Sequence, residues 1–158
     1  MKKFSLCFTL LILMFSSFNA PAAGPTNKAT IKVDNATIKV ETIFNGTFKE
    51  VKNVQWYTTD NTYSARFTTN NVIQSITYDK NGKFIRSTRC FGEELLPANV
   101  LARIKEKYKD KTIRLITEIV EGNELVYSLT IDDDINCWIV AAGPSGYNEL
   151  LTKFKKQQ

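Results

Sequence analysis

Histidine is missing from the chain altogether. Its absence excludes Ser-His-Asp and Cys-His nucleophile pairs, zinc sites with imidazole ligands, and the one side chain that ordinarily titrates near neutral pH. An ordinary hydrolase is hard to build from what is left. A large excess of one sign of charge is also lacking. The chain has 21 Lys+Arg against 16 Asp+Glu, a formal net charge of +5, which is no argument for a nucleic-acid partner. Only three cysteines occur, Cys7, Cys90 and Cys137. With 43% hydrophobic and 23% charged residues, the 158-residue chain is not of disordered composition. Its length suits one domain, or two small units sharing a core.

The one long apolar run is Phe4 to Phe18, shorter than the ~20 residues that span a bilayer. It follows the basic start Met1-Lys2-Lys3 and leads to Ala20-Pro21-Ala22-Ala23-Gly24. That order reads as a secretory signal peptide over 1–22, with cleavage after Ala22 and no membrane span once it is removed. Cys7 lies inside the run, so a lipid anchor on a cysteine just after it is not supported. Loss of 1–22, with Lys2 and Lys3, leaves 136 residues and a charge of +3. The expected location is periplasmic or secreted.

The exported part divides by pattern. Residues 23–39 read as a polar lead-in, and 155–158 as a basic tail. Val40, Ile43, Phe44, Phe48 and Val51 recur at helical spacing. Strands are expected around Val54–Tyr57, Tyr63–Phe67, Val72–Tyr78 and Lys83–Cys90, with Asn81-Gly82 as a two-residue hairpin turn. Leu95-Leu96-Pro97 opens a second helix with the stripe Leu96, Val100, Leu101, Ile104 and Tyr108. Further strands read as Ile113–Val120, Leu125–Ile131 and Cys137–Ala142. Leu150–Phe154 is a last strand or a helical turn.

The halves overlay at an offset of 64 residues. Tyr63-Ser64 then falls on Tyr127-Ser128, Phe67 on Ile131, Ile76 on Val140 and Gly82 on Gly146. This predicts an internal duplication over 40–154, with units at about 40–92 and 93–154. The expected fold class is α+β: two tandem helix-plus-antiparallel-sheet units, with the helices packed on one face of the sheet.

Val54-x-Trp56, Tyr63-x-Ala65-x-Phe67, Tyr78-Asp-x-x-Gly82, Leu96-Pro97 before a helix, and Tyr127 before a second glycine turn carry a resemblance. Over roughly 40–154 the chain resembles the exported PepSY-like proteins, also described as having a β-lactamase-inhibitor-protein-like fold. The resemblance implies a periplasmic protein with no established enzyme activity. Related names point to inhibition of peptidases or β-lactamases, but no inhibitory residue is carried by these motifs.

Candidate chemistry is sparse. Asp132, Asp134 and Asn136 alternate like the start of a calcium loop. The sixth and twelfth positions are Cys137 and Gly143, so the match fails and a solvated turn is expected. Metal binding at Asp132 and Asp134 is the minor reading. Glu93, Glu94, Asp110, Glu118, Glu121 and Glu124 form no carboxylate pair that the sequence fixes. The basic stretch Arg103–Arg114 reads first as a solvated helix back and second as a contact for an acidic partner. Cys90 and Cys137 are expected on the face away from the helices, either bonded as a disulfide or as two separate thiols.

The preferred expectation is an exported, non-enzymatic module without a cofactor. It holds a protein or peptide of the cell envelope on its uncovered sheet face and adjacent loops. Tyr57, Arg66, Phe84, Arg86 and Arg89 are its expected binding residues, since interfaces favour aromatics and arginine. The alternatives are an inhibitor of a peptidase or β-lactamase, and a small-ligand or calcium-binding envelope protein.

Overall fold

The structure, a computed structural model, describes residues 35–59 and 61–157. The expected signal peptide over 1–22 lies outside the described residues. Eight strands form one antiparallel sheet in the order of the chain: β1 Gln55–Thr58, β2 Thr62–Thr69, β3 Val72–Asp79, β4 Phe84–Phe91, β5 Thr112–Glu121, β6 Glu124–Asp132, β7 Asn136–Ala142 and β8 Asn148–Lys155. Among the described residues two helices accompany it, α1 Asn35–Thr47 and α2 Ala98–Lys107, with a short 3₁₀ turn at Glu93–Leu95.

The expected pair of tandem helix-plus-sheet units is therefore overturned. β4 and β5 are paired from Arg86↔Glu121 to Phe91↔Ile116, so the sheet runs unbroken through the expected boundary. The physical reason lies in the backbone. Separate units would leave β4 and β5 each with a row of unsatisfied N–H and C=O groups, and pairing them removes two edges at once. The described residues form a sheet protein with two short helices.

Each helix lays one stripe on the same face of the sheet. In α1 the buried positions are Thr37, Val40 and Phe44, at helical steps. Phe44 stacks on Phe48 with ring centroids 4.8 Å apart and meets Trp56 and Phe67 edge-on at 5.4 and 5.5 Å. Tyr63, Ala65, Phe67, Ile76 and Tyr78 complete this cluster. Helix α1 begins five residues before the expected Val40, inside what reads as lead-in, and Ile43 lies on its outer side. In α2 the stripe is Val100 and Ile104, continued by Leu96 before it and Tyr108 after it. It packs on Phe91, Ile116, Leu129, Ile131, Trp138 and Val140. Pro97 precedes α2 rather than lying within it. Leu96 is extended, as a residue before proline prefers, so the helix cannot start earlier.

The turns carry the positive-φ residues. Asn70 and Asn71, at φ 51° and 63°, form a two-residue hairpin between Thr69 and Val72. The β3–β4 turn differs from expectation. Its register shifts at Thr77/Tyr78, so Tyr78 pairs with Phe84 and the loop is Lys80-Asn81-Gly82. The Asp79 carboxylate accepts the N–H of Asn81 at 2.8 Å and of Lys83 at 2.9 Å, which stabilises this longer loop. Both bonds favour the ionised acid, and its pKa lies below the ordinary value, with the Lys83 N–H as the largest cause.

Candidate functional site: the uncovered sheet face

Strand alternation assigns every second residue to the face opposite the helices. Buried Tyr63, Ala65 and Phe67 point to the helices, so Ser64, Arg66 and Thr68 point away. The register then carries this face across the sheet. One row runs Gln55, Arg66, Ser75, Thr88, Ile119, Val126. A second runs Tyr57, Ser64, Thr77, Arg86, Glu121, Glu124. A third contains Thr68, Ile73, Cys90, Thr117, Ser128 and Ala141. Ile119 and Cys137 are buried on this face yet belong to neither helix-covered cluster.

The surface is a carpet of hydroxyls with a few larger groups standing in it. Ser64 and Thr77 hydroxyls bond each other at 2.9 Å, and the Cys90 thiol lies 3.6 Å from the Thr117 hydroxyl. Tyr57 is half exposed at the β1 edge and donates its hydroxyl to the Gln55 side-chain oxygen at 3.1 Å. Arg66 and Arg86 are half-buried, and neither has an ion-pair partner among the described residues. At the β1–β2 end an open depression of about 530 Å³ is lined by Lys52 and Asn53, by Gln55 of β1, by β2 from Arg66 through Phe67 to Thr68, and by Ile73 of β3.

Three of the five expected binding residues, Tyr57, Arg66 and Arg86, thus share the uncovered face. The other two do not. Arg89 pairs with Gln74 and Glu118 on the helix-bearing face, donates to the Glu118 carboxylate at 3.0 Å, and lies 5.5 Å over the Phe91 ring. Phe84 pairs with Tyr78, whose side chain is in the α1 cluster, so it too is placed on that side. For Arg89 the reason is parity along β4, and for Phe84 it is the register shift at Thr77/Tyr78, which breaks the alternation between Arg86 and Phe84. A strand position fixes a face only once the register is known.

Of the two cysteine alternatives, the structure has the separate thiols. Cys90 and Cys137 do lie on the uncovered face, but both are free thiols. They sit on β4 and β7, three inter-strand spacings apart, or ~14 Å at about 4.8 Å each. A disulfide needs Cα atoms within ~7 Å. Burial, helped by the charge of Asp132, pushes the Cys137 thiol pKa up.

The aspartate cluster is occupied by cations. Asp132 accepts from Arg114 Nε at 2.8 Å and from Lys156 Nζ at 2.6 Å. Asp133 accepts the N–H groups of Asn136 at 2.8 Å and Ile135 at 2.9 Å, and the Lys111 ammonium at 3.2 Å. Those backbone donors, with Lys111, hold its pKa at about 2. The Lys156 ammonium likewise lowers that of Asp132. Asp134 is exposed in the turn and is not drawn into this network. No group of three or more His, Cys, Asp or Glu residues able to hold a metal occurs among the described residues.

Sequence reasoning did not single out Lys52, Gln55, Ile73, Ser64 or Thr77 as part of this surface. Ser64 and Thr77 follow from alternation opposite Tyr63 and Tyr78. Lys52 lies in an irregular segment before β1, and nothing periodic marks it.

No family model and no curated protein sequence matches the chain. Solved structures do share its fold. A DUF2874 family protein from Bacteroides ovatus is similar over 78% of this chain and 89% of its own, with a TM-score of 0.65 and 16% identity. A protein from Bacteroides eggerthii, provisionally named as periplasmic, is similar over 78% and 88%, with a TM-score of 0.63 and 12% identity. A BLIP-like protein from Bacteroides fragilis is similar over 75% and 84%, with a TM-score of 0.61 and 14% identity. The β-lactamase-inhibitor-protein-like fold implied by the sequence resemblance is thus supported, while its PepSY-like part is not.

Proposed function

We propose that this chain is a non-enzymatic binding module of the cell envelope, and that the uncovered face of its sheet is where a protein or peptide partner docks. The observation that carries the reading is one continuous strand face on which Tyr57, Arg66 and Arg86 stand among short hydroxyl side chains. Aromatic and arginine anchors on a face that also carries short hydroxyl side chains suit a partner that presses against the sheet. The lack of any histidine and the cation-bound state of Asp132 and Asp133 favour binding over catalysis or metal capture. Placement in the periplasm rests on the signal-like start and on the name of the Bacteroides eggerthii protein. Among the described residues no helix is long and apolar enough to cross a membrane.

The test is retention of an envelope component by the immobilised chain. The triple variant Tyr57→Ala, Arg66→Ala, Arg86→Ala should keep its melting temperature and lose that component. A control at Lys105 and Lys109, on the helix side, should retain it. Equal retention by the triple variant overturns the assignment of this face.

The fold likeness to a BLIP-like protein favours one narrower reading, in which the partner is a peptidase or β-lactamase that the module inhibits. Unchanged activity across a panel of such enzymes in the presence of excess chain would exclude it.

A further inference from the structure

The depression at the β1–β2 end has a chemical bias of its own. Two cationic side chains, Lys52 and Arg66, line it, and no acidic residue does. Neither cation has an ion-pair partner among the described residues. Arg86 on the same face is likewise without one, whereas five cations elsewhere are neutralised. Arg89, Lys105, Lys111, Arg114 and Lys156 each have a carboxylate within 3.2 Å. The Gln55 amide oxygen is occupied by the Tyr57 hydroxyl, which leaves its NH₂ as a donor. Thr68 adds a hydroxyl. Ile73, 39% exposed, supplies an apolar wall on the neighbouring strand.

We infer that this depression recognises an acidic side chain of an extended peptide segment, with Arg66 and Lys52 taking the carboxylate, Gln55 donating to it, and Ile73 receiving an apolar neighbour two positions along. The inference rests on the uncovered face being the docking surface and adds the chemistry of what docks. A guanidinium can present two parallel N–H groups to a carboxylate, and a planar fork held on a strand gives that contact direction. Half-burial on a sheet face lowers the local dielectric relative to water, so an unpaired cation there gains more from an incoming anion than one on an exposed helix. The spacing follows from the strand. A peptide in extended form repeats its side-chain direction every second residue, about 6.6–6.8 Å along, which suits an acid and an aliphatic residue at alternate positions.

The probe is a pair of eight-residue peptides, acetylated and amidated so that neither carries a terminal carboxylate. Both have the pattern Thr-Val-Thr-X-Thr-Val-Thr-Val, with X as Glu in one and Gln in the other. Binding to the full chain is followed by the NMR signals of the Arg66 Nε–H and the Gln55 side-chain amide. The Glu peptide should shift both signals saturably and bind at least about tenfold more tightly than the Gln peptide, the difference one charge-assisted contact supplies. Arg66→Gln and Lys52→Gln should each abolish that preference, and Arg66→Lys should restore part of it. Equal binding of the two peptides would overturn the inference. So would shifts spread evenly over Lys105, Lys153 and other surface cations, or a response to inorganic phosphate alone. Should the envelope component still be lost in the Tyr57 and Arg86 variants while the Glu preference is absent, the docking face stands and only the carboxylate site falls. Should neither depend on the face, the broader reading falls with it.

Discussion

Arg89 and Glu118 face each other across the β4–β5 pair, on the helix-bearing side of the sheet, with guanidinium and carboxylate 3.0 Å apart. The pair sits at the strand junction where a break between units was expected. Arg89 is thus part of the joint that makes the sheet continuous and lies on the face opposite the proposed docking surface.

Arg89→Ala should therefore lower stability by about 1 kcal/mol, the modest size expected of a partly exposed pair, and leave partner retention unchanged. A double-mutant cycle with Glu118→Gln in denaturant unfolding measures the coupling. Loss of partner retention in a folded Arg89→Ala variant would contradict the placement.

Gly82 is expected to resist any side chain. Its φ is +80°, and a Cβ there would fall on the Cδ1 methyl of Ile43 from α1. Gly82→Ala should cost at least about 1–2 kcal/mol from the left-handed backbone alone. Thermal unfolding of Gly82→Ala beside Gly122→Ala separates the two effects. Gly122 also has positive φ, but open space surrounds it, so its variant should lose less.

The acid limb of stability should depend on Asp133. Its folded pKa is about 2 against an ordinary 3.8, held down by the Asn136 and Ile135 N–H groups and by Lys111. A depressed carboxylate contributes stability that is fully present above its unfolded pKa and is lost as pH falls through the folded one. The window is thus from about pH 4 down to about 2. Asp133→Asn should unfold at lower stability at neutral pH and show a flatter decline across that window. An unchanged acid profile in chemical denaturation would refute the assignment.

The two thiols should behave independently. Reductant should change neither the melting temperature nor the gel mobility of the chain, because β5 and β6 stand between Cys90 and Cys137. Alkylation should reach the half-exposed Cys90 before Cys137, whose buried thiol is pushed up in pKa. Peptide mapping after timed labelling checks the order. A mobility shift on reduction that disappears in a Cys90→Ser variant would oppose it.

The strands were legible because their residues alternate. Tyr63-x-Ala65-x-Phe67 and the stripe Leu96, Val100, Ile104, Tyr108 place their elements to within a few residues. The β3–β4 hairpin was legible only in part. Asn81-Gly82 marks a turn, but the Asp79 carboxylate, by accepting two N–H groups, lengthens the loop and shifts Phe84 onto Tyr78. Asn70-Asn71 is also a turn signal, and the pairing of Thr69 with Val72 makes it a two-residue hairpin.

The sequence alone determined the lack of imidazole chemistry, seven of the eight strands and the two helical stripes, because each depends on local composition or short-range period. The tertiary structure decided the rest. It joined β4 to β5, placed Arg89 beside Glu118, separated Cys90 from Cys137, and gathered Lys52 with Arg66 on one open surface. Those outcomes depend on register and strand order, which backbone pairing across long stretches of chain sets and which no local pattern encodes.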